Sequence, residues 1–173
     1  SRAEAETVRL CYINAKVTVL PFPLGNAINR PQPAPFLGEI SLDSKDLVYM
    51  GRISEQKNLH TILLALWHLR EVAPKEVPRL HIFGSDDNYG SPNMGLPGTG
   101  YEQFLKGLCK RLGLDDRIIW HGTKSKEYLE AEVLSKPFTF ISASLHSDED
   151  FGVSAFRSLE RGNKAILSLW GGH

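Results

Sequence analysis

Five short apolar runs with helical stripes between them constrain this chain more than any other feature of it. Leu47-Val-Tyr-Met50, Leu80-His-Ile-Phe83 and Arg117-Ile-Ile-Trp-His121 are each closed by a glycine, respectively Gly51, Gly84 and Gly122. Phe138-Thr-Phe-Ile-Ser142 and Ala165-Ile-Leu-Ser-Leu169 follow. In between, Leu59, Ile62, Leu63, Leu66 and Leu69 recur at helical spacing. Tyr101, Phe104, Leu105, Leu108 and Leu112 do the same and stop at Gly113. Residues 125–135 read as a third helix on Tyr128, Leu129, Val133 and Leu134, and Gly152 to Glu160 as a fourth. Strand and helix in alternation predict an α/β fold, a parallel sheet with helices on both faces. Right-handed crossovers make it a doubly wound, Rossmann-like sheet.

Such sheets bind ligands beyond the carboxyl ends of their strands. The segments to search are therefore Gly51-Arg52, Gly84-Ser85-Asp86, Gly122, Ser144 to Glu149, and Gly171-Gly172. The stretch from Ser85 to Gly100 is long for such a connection and reads as a mobile surface excursion rather than a ligand lid. It lacks the Gly-Lys-Ser/Thr of a Walker loop, and Gly98-Thr-Gly100 lacks the third glycine of a dinucleotide fingerprint.

Composition removes several classes of function. Lys and Arg number 20 and Asp and Glu 20, so there is no basic excess of the kind a nucleic-acid partner calls for. With 42% apolar and 23% charged residues the chain is ordinary globular protein. Cys11 and Cys109 form no CxxC pair and fit a reducing compartment as free thiols. The longest apolar run, Ile62 to Trp67, is far short of a membrane span. The six histidines form no HExxH or His/Cys cluster, and no Gly-x-Ser-x-Gly elbow is present. Ahead of the alternating region, residues 17–20 read as a short strand, and Pro21 to Gly38, with five prolines, as an extended arm. The two ends read as those of a piece of a longer protein: one starts inside a helix and the other stops at Gly171-Gly172-His173.

Three constellations carry candidate chemistry. In Gly51-Arg52-Ile-Ser-Glu-Gln-Lys57-Asn58, Ser54 is a candidate N-cap and Lys57 then falls in the first helical turn, against the helix dipole. An anion bound there would turn the amides, the dipole, Arg52 and Lys57 to one purpose; otherwise the pair is a solvated surface feature. In Ser142 to Gly152, three consecutive acids, Asp148, Glu149 and Asp150, either complement the dipole of the next helix or accept hydrogen bonds from a polyhydroxyl ligand. Gly152 would let backbone approach that ligand. In the tail, Gly162 reads as a helix C-cap, and Arg161 and Lys164 suit the helix end.

Taken in order, these pieces resemble the C-terminal, donor-binding half of the GT-B glycosyltransferases, specifically the retaining family 4 (group 1) enzymes. The resemblance covers residues 46 to 172. Gly51, Arg52 and Lys57 fit the family's Gly-Arg-x-x-x-x-Lys; Leu80 to Gly84, Leu112-Gly113-Leu114 and Ile118 to Gly122 fit its middle elements. Ser144, Glu149, Phe151, Gly152, Gly162, Ser168, Gly171 and Gly172 fit its closing signature. The resemblance implies that Arg52 and Lys57 hold the donor's diphosphate and stabilise the leaving phosphate in place of a metal. It implies that Glu149 orients the donor sugar, with Gly51, Gly84, Gly122, Ser144, Phe151, Gly152, Arg157, Gly171 and Gly172 as the donor-binding set. A UDP-, GDP- or ADP-sugar would be the substrate, with no metal or other cofactor. On this reading residues 1–45 are an inter-domain edge and Pro-rich linker, and 46–173 the donor domain, truncated at its C-terminus. The acceptor-binding half is absent, any membrane contact would run through it, and the location is cytoplasmic or peripheral to a membrane. The parent enzyme would build a polysaccharide, a glycolipid or a lipid-linked glycan.

One position departs from the family. The second glutamate of the signature, which holds the ribose hydroxyls, should stand at position 157, and this chain has Arg157 there. Glu160 lies a turn too deep to replace it. Arg157 is therefore expected to donate to ribose oxygens, swing to the phosphates, or pair with Glu149, Asp150 or Glu160. It favours the alternative reading, a non-catalytic module that binds nucleotide or a partner. An oxidoreductase is a third reading, against which the missing glycine fingerprint stands.

Overall fold

A computed structural model describes residues 2–12, 14, 16–18, 40–87, 100–145 and 152–169. The Pro-rich arm, most of the Ser85–Gly100 excursion (88–99), the acidic stretch with Glu149 and Phe151, and Gly171-Gly172 lie outside them. Of the strand expected at 17–20, only Val17 and Thr18 are described, and they belong to no strand.

A helix, α1 (Arg2–Cys11), precedes the alternating region. The sheet strands are β1 (Leu47–Met50), β2 (Leu80–Phe83), β3 (Ile118–Gly122), β4 (Thr139–Ser142) and β5 (Lys164–Leu167). All pairings are parallel, in the order β3-β2-β1-β4-β5. The helices between them are α2 (Leu59–Val72), α3 (Tyr101–Arg111), α4 (Lys126–Tyr128) and α5 (Val153–Glu160). This is the expected doubly wound, Rossmann-like sheet.

The central strands are apolar without alternation because both their faces are covered. Leu47, Tyr49, Leu80, Ile82 and Ile118 point to one face, where they meet Leu59, Ile62, Leu63 and Leu66 of α2 and Leu105 and Cys109 of α3. Val48, Met50, Phe83 and Phe140 point to the other, against Val133, Leu134 and Ala155. The edge strand β5 is half-covered, and Ile166 on it is exposed.

Local details differ from the sequence reading in three places. Ser54 does not cap α2. Its backbone is extended, and a 3-10 turn over Glu55–Lys57 intervenes before Asn58, which takes the left-handed conformation (φ 55°) and precedes the helix. Lys57 therefore ends that turn rather than sitting inside α2. The third helix is α-helical for one turn only, with the Ser125 hydroxyl accepting from the Tyr128 amide at 3.2 Å; it then widens into a π turn over Leu129–Val133. The fifth strand runs 164–167 rather than 165–169.

Strand order reverses between β1 and β4. In an open α/β sheet the crevice between the connections leaving those two strands is where a ligand fits. The fold thus places the Gly51–Asn58 connection on one side of the crevice and the segment after Ser142 on the other.

Candidate functional site

The connections that follow β1 and β2 do not splay apart. They continue the sheet ladder past the strand ends. The Gly51 amide donates to the Phe83 carbonyl (3.0 Å), the Ile53 amide to Ser85 (2.9 Å) and the Asp87 amide to Ile53 (3.3 Å), with an isolated parallel bridge between Ile53 and Asp86. Two glycines permit the closeness. A Cβ at Gly84, whose φ is +150°, would stand 1.9 Å from the Gly51 carbonyl oxygen. A Cβ at Gly51 would stand 2.9 Å from the Tyr49 hydroxyl, which donates to the Arg52 carbonyl at 2.6 Å. Backbone reaches this spot only because both side chains are missing.

Over this zipped pair opens a cleft of about 420 Å³. Met50, Phe83 and Leu129 give it an apolar floor; Gly51, Arg52, Gly84, Ser85, Asp86, Asp87, Thr123, Lys124 and Ser154 give it a polar wall. The cleft mixes an apolar surface, small hydroxyls and both signs of charge, the composition of a small-molecule site. Each acid already has a structural partner. Asp86 accepts the Glu102 amide in the first turn of α3 at 2.8 Å. Asp87, nearly buried, accepts from the half-exposed Arg52 guanidinium at 2.8 Å. Lys124 sits with its Nζ 5.3 Å from the centre of the Tyr128 ring.

Of the residues singled out in the sequence, Gly51, Arg52 and Gly84 line this cleft. Gly122 is adjacent: its carbonyl accepts the Gly84 amide at 3.0 Å, and its φ of +65° turns the chain from β3 into Thr123 and Lys124. Lys57 is half-buried at the end of its turn, off the cleft lining. The same turn is fastened to the far side of the crevice. The Leu145 amide donates to the Gln56 carbonyl at 3.2 Å and the Asn58 amide group to the Ala143 carbonyl at 3.1 Å. Ser144 is fully buried there, its carbonyl accepting from the Ser168 hydroxyl at 2.5 Å, so it braces the crevice wall. Gly152 is buried, adopts φ +60° and opens α5. Glu149, Phe151, Gly171 and Gly172 fall outside the described residues.

Of the acids named for Arg157, Glu149 and Asp150 fall outside the described residues, and its partner among the described ones is not Glu160 but Glu130. Arg157 donates to Glu130 of the π turn at 3.1 Å, and Arg161 donates to the other oxygen of the same carboxylate at 2.8 Å. One carboxylate thus holds two guanidinium groups. Arg157 lies one turn beyond Ser154, which does line the cleft.

Sequence reasoning missed Asp87, Thr123, Lys124, Ser154 and Glu130. Thr123 and Lys124 were within reach of it, since they follow the glycine that closes the third strand. Asp87 and Glu130 carried no local signal, because their partners lie 35 and 27 residues away.

Behind the cleft floor lies a buried polar column. His81 on β2 and His121 on β3 share a hydrogen bond (Nδ1 to Nε2, 2.9 Å), and the His121 ring stacks on Phe83 with centroids 4.2 Å apart. His121 lies two residues beyond Ile119, the register partner of His81, and so shares the face of His81; the register shifts by one residue just beyond, where Phe83 pairs with Gly122. Asp46, held by two bonds from Arg79 (2.9 and 2.6 Å), lies 3.6 Å from His81 Nε2. Burial lowers the His81 pKa despite Asp46, and burial, His81 and Lys124 together pull His121 down to about 4. Burial first, and then the charge of Asp115, raise the Cys109 thiol to about 11, which leaves it inert packing. Among the described residues no group of three or more His, Cys, Asp or Glu side chains is placed to hold a metal ion.

Solved structures share this fold. The pneumococcal O-GlcNAc transferase GtfA, solved with UDP and GlcNAc, matches 98% of this chain with a TM-score of 0.66 at 16% identity. The Anabaena protein HepE, solved with UDP-glucose, matches 73% with a TM-score of 0.58 at 19% identity. The C-terminal domain of the group 1 family protein LpcC from Francisella tularensis matches 73% with a TM-score of 0.56 at 19% identity. This chain spans 29%, 30% and 59% of those three chains respectively. No curated protein sequence matches it. The family model for glycosyl transferases group 1 matches residues 35–172, which is most of the chain. The sheet, the cleft at its carboxyl edge and that match agree: the chain belongs to the group 1 glycosyltransferase family, with the Rossmann-like fold of one half of a GT-B enzyme.

Proposed function

We propose that this chain is the donor-binding part of a retaining glycosyltransferase, and that the cleft over Gly51 and Gly84 receives the diphosphate of a nucleotide sugar. The observation that carries the reading is Arg52, paired with Asp87 in the wall of a cleft where two glycines let backbone approach. A diphosphate leaving group gathers negative charge as the glycosidic bond to it breaks. A pre-positioned guanidinium, with Lys57 from the same connection, would stabilise that charge without reorganising. The binding step would then need no divalent metal, since Arg52, Lys57 and Lys124 supply cations from the chain itself. Glu149 is the proposed partner of the donor sugar. The acceptor would be a growing glycan or a lipid-linked one, bound by another part of the protein.

Calorimetric titration with UDP, GDP, ADP and NAD tests this. One of the three nucleoside diphosphates should bind, NAD should not, and EDTA should leave binding unchanged. Binding abolished by EDTA and restored by magnesium or manganese would contradict the metal-free reading. With one wall of the reaction cleft supplied from elsewhere, the 173-residue chain should transfer no sugar to any acceptor. Transfer of radiolabelled sugar by the chain alone would refute that.

One observation favours the second reading, a non-catalytic binding module. Arg157 is engaged by Glu130, so this position offers the ribose no carboxylate. No nucleoside diphosphate bound at millimolar concentration would favour the module.

A further inference from the structure

We infer that Asp87 is the positioning residue of Arg52. It is a nearly buried carboxylate whose job is to hold that guanidinium in the cleft, so that the cation is ordered before any anion arrives. The inference rests on the diphosphate reading of the cleft and goes beyond it by assigning a role to an acid at a site built for an anion.

A carboxylate in the wall of a phosphate-binding cleft repels the ligand. Among the described residues of this wall there are two, Asp86 and Asp87. Asp86 is accounted for by the first turn of α3, whose Glu102 amide it accepts. Asp87 faces Arg52 instead, at 2.8 Å, with its side chain only 7% exposed against 50% for Arg52. The buried partner is the fixed one. Asp87 is anchored through its own amide to the Ile53 carbonyl, next in sequence to Arg52, and the Ile53–Asp86 bridge locks the same two connections together. The Arg52 carbonyl is held in turn by the Tyr49 hydroxyl. Both ends of the ion pair are therefore tied to one rigid ladder.

An arginine side chain loses substantial rotamer entropy when it is ordered. An anion that meets a wandering guanidinium must bear that loss as reduced affinity, whereas one that meets a fixed guanidinium does not. Asp87 orders Arg52 in advance and leaves half of its surface open to the cleft. The carboxylate's own repulsion of a diphosphate is offset because its charge is already matched by the guanidinium.

This account predicts a change of sign that a purely structural acid would not produce. The experiment compares wild type, Asp87→Asn, Arg52→Ala and the double variant. Each is titrated by calorimetry with UDP, GDP and ADP, and with the nucleoside of whichever binds tightest. In the wild-type background Asp87→Asn should weaken the diphosphate about tenfold, the scale of one hydrogen bond to a charged group, and move the nucleoside by less than about twofold. In the Arg52→Ala background the same change should tighten the diphosphate, because it removes a carboxylate that no longer has its guanidinium. Equal losses for diphosphate and nucleoside in both backgrounds would overturn the proposal in favour of a structural acid. Tighter diphosphate binding by Asp87→Asn alone would overturn it in favour of a competing anion.

A ligand-free readout separates this from the reading on which it rests. The Arg52 Nε–H resonance in nitrogen-15 spectra should be sharp and slow to exchange in wild type, and broadened in Asp87→Asn. No difference between the two would overturn the positioning role by itself. A difference of that kind, with no nucleoside diphosphate bound by wild type, would support the positioning of Arg52 by Asp87 and overturn the diphosphate reading instead.

Discussion

Two arginines of this chain stand where the resemblance leads one to look for donor contacts, and they are held in opposite ways. Arg52 extends from the connection after β1 and pairs with Asp87 across a backbone ladder that two glycines let close. Arg157 extends from α5 and shares one acid, Glu130, with a second arginine, Arg161. The first arrangement leaves a guanidinium half exposed over a cleft; the second clasps α5 to the π turn after α4. The same residue type at two family positions thus becomes a candidate ligand in one place and a helix clasp in the other. What decides is where the partnering carboxylate sits, and in both cases it comes from another element.

The contrast can be broken hardest at Gly84. A methyl group there would meet the Gly51 carbonyl at 1.9 Å in a backbone conformation that side chains rarely adopt. Gly84→Ala should cost about 2–4 kcal/mol by denaturant unfolding, as strain at a special backbone position does, and should open the ladder that carries Arg52. Loss of under about 0.5 kcal/mol, the scale of an ordinary surface substitution, would mean that the close approach of the two connections is not real.

Replacing Arg52 and Lys57 together by Ala should weaken a nucleoside diphosphate by about one to two orders of magnitude, with little change for the nucleoside. Equal losses for both ligands in calorimetry would mean that neither cation meets phosphate. The α5 side should answer differently. Glu130→Ala leaves two guanidinium groups without their acid and should lower stability by about 1–3 kcal/mol. Nucleotide affinity should stay within about twofold if the clasp is only structural, a ratio small beside the tenfold that one charged hydrogen bond is worth. Arg157→Glu should set a second carboxylate against Glu130. It should destabilise α5 rather than restore a ribose ligand, and an improved nucleotide affinity in that variant would contradict the clasp.

The smallest expected effect is on pH dependence. His121 has its pKa lowered from 6.5 to about 4 by burial, then His81, then Lys124. Between those values the unfolded chain binds the proton and the folded chain does not, so stability rises with pH across that window. The contribution is complete above about pH 6.5 and is lost as pH falls towards 4. His121→Gln should flatten the slope of unfolding free energy over pH 4–6.5 by about 1–2 kcal/mol in total, allowing for the ring's partial exposure. An unchanged slope would place His121 outside the buried column.

How much of this could be read from the sequence follows from the range of the interactions. The central strands were legible because burial on both faces makes them apolar without interruption, as in Leu47 to Met50. The glycines after them were legible because Gly51 and Gly84 stand at the strand ends where the chain must turn into the crevice. The start of α2 was misread because Ser54 is a good local cap that the chain does not use. Asn58 takes a left-handed conformation instead, and its side chain reaches Ala143, 85 residues away. The π turn at Leu129–Val133 keeps the apolar spacing of an α-helix closely enough to hide in it. The partners of Arg52 and Arg157 were beyond reach for the same reason. An ion pair between connections depends on strand order and register, and neither leaves a mark on local composition.

The central claim is that the cleft over the β1 and β2 connections, and not the α5 clasp, is where the chain meets a diphosphate. Amide chemical shifts recorded during titration with UDP, GDP or ADP test it residue by residue. The account predicts the largest movements at Gly51, Arg52 and Gly84 to Asp87, with Glu130, Arg157 and Arg161 near their starting positions. Movements concentrated at Glu130 and Arg157, with Gly51 and Gly84 unchanged, would contradict it.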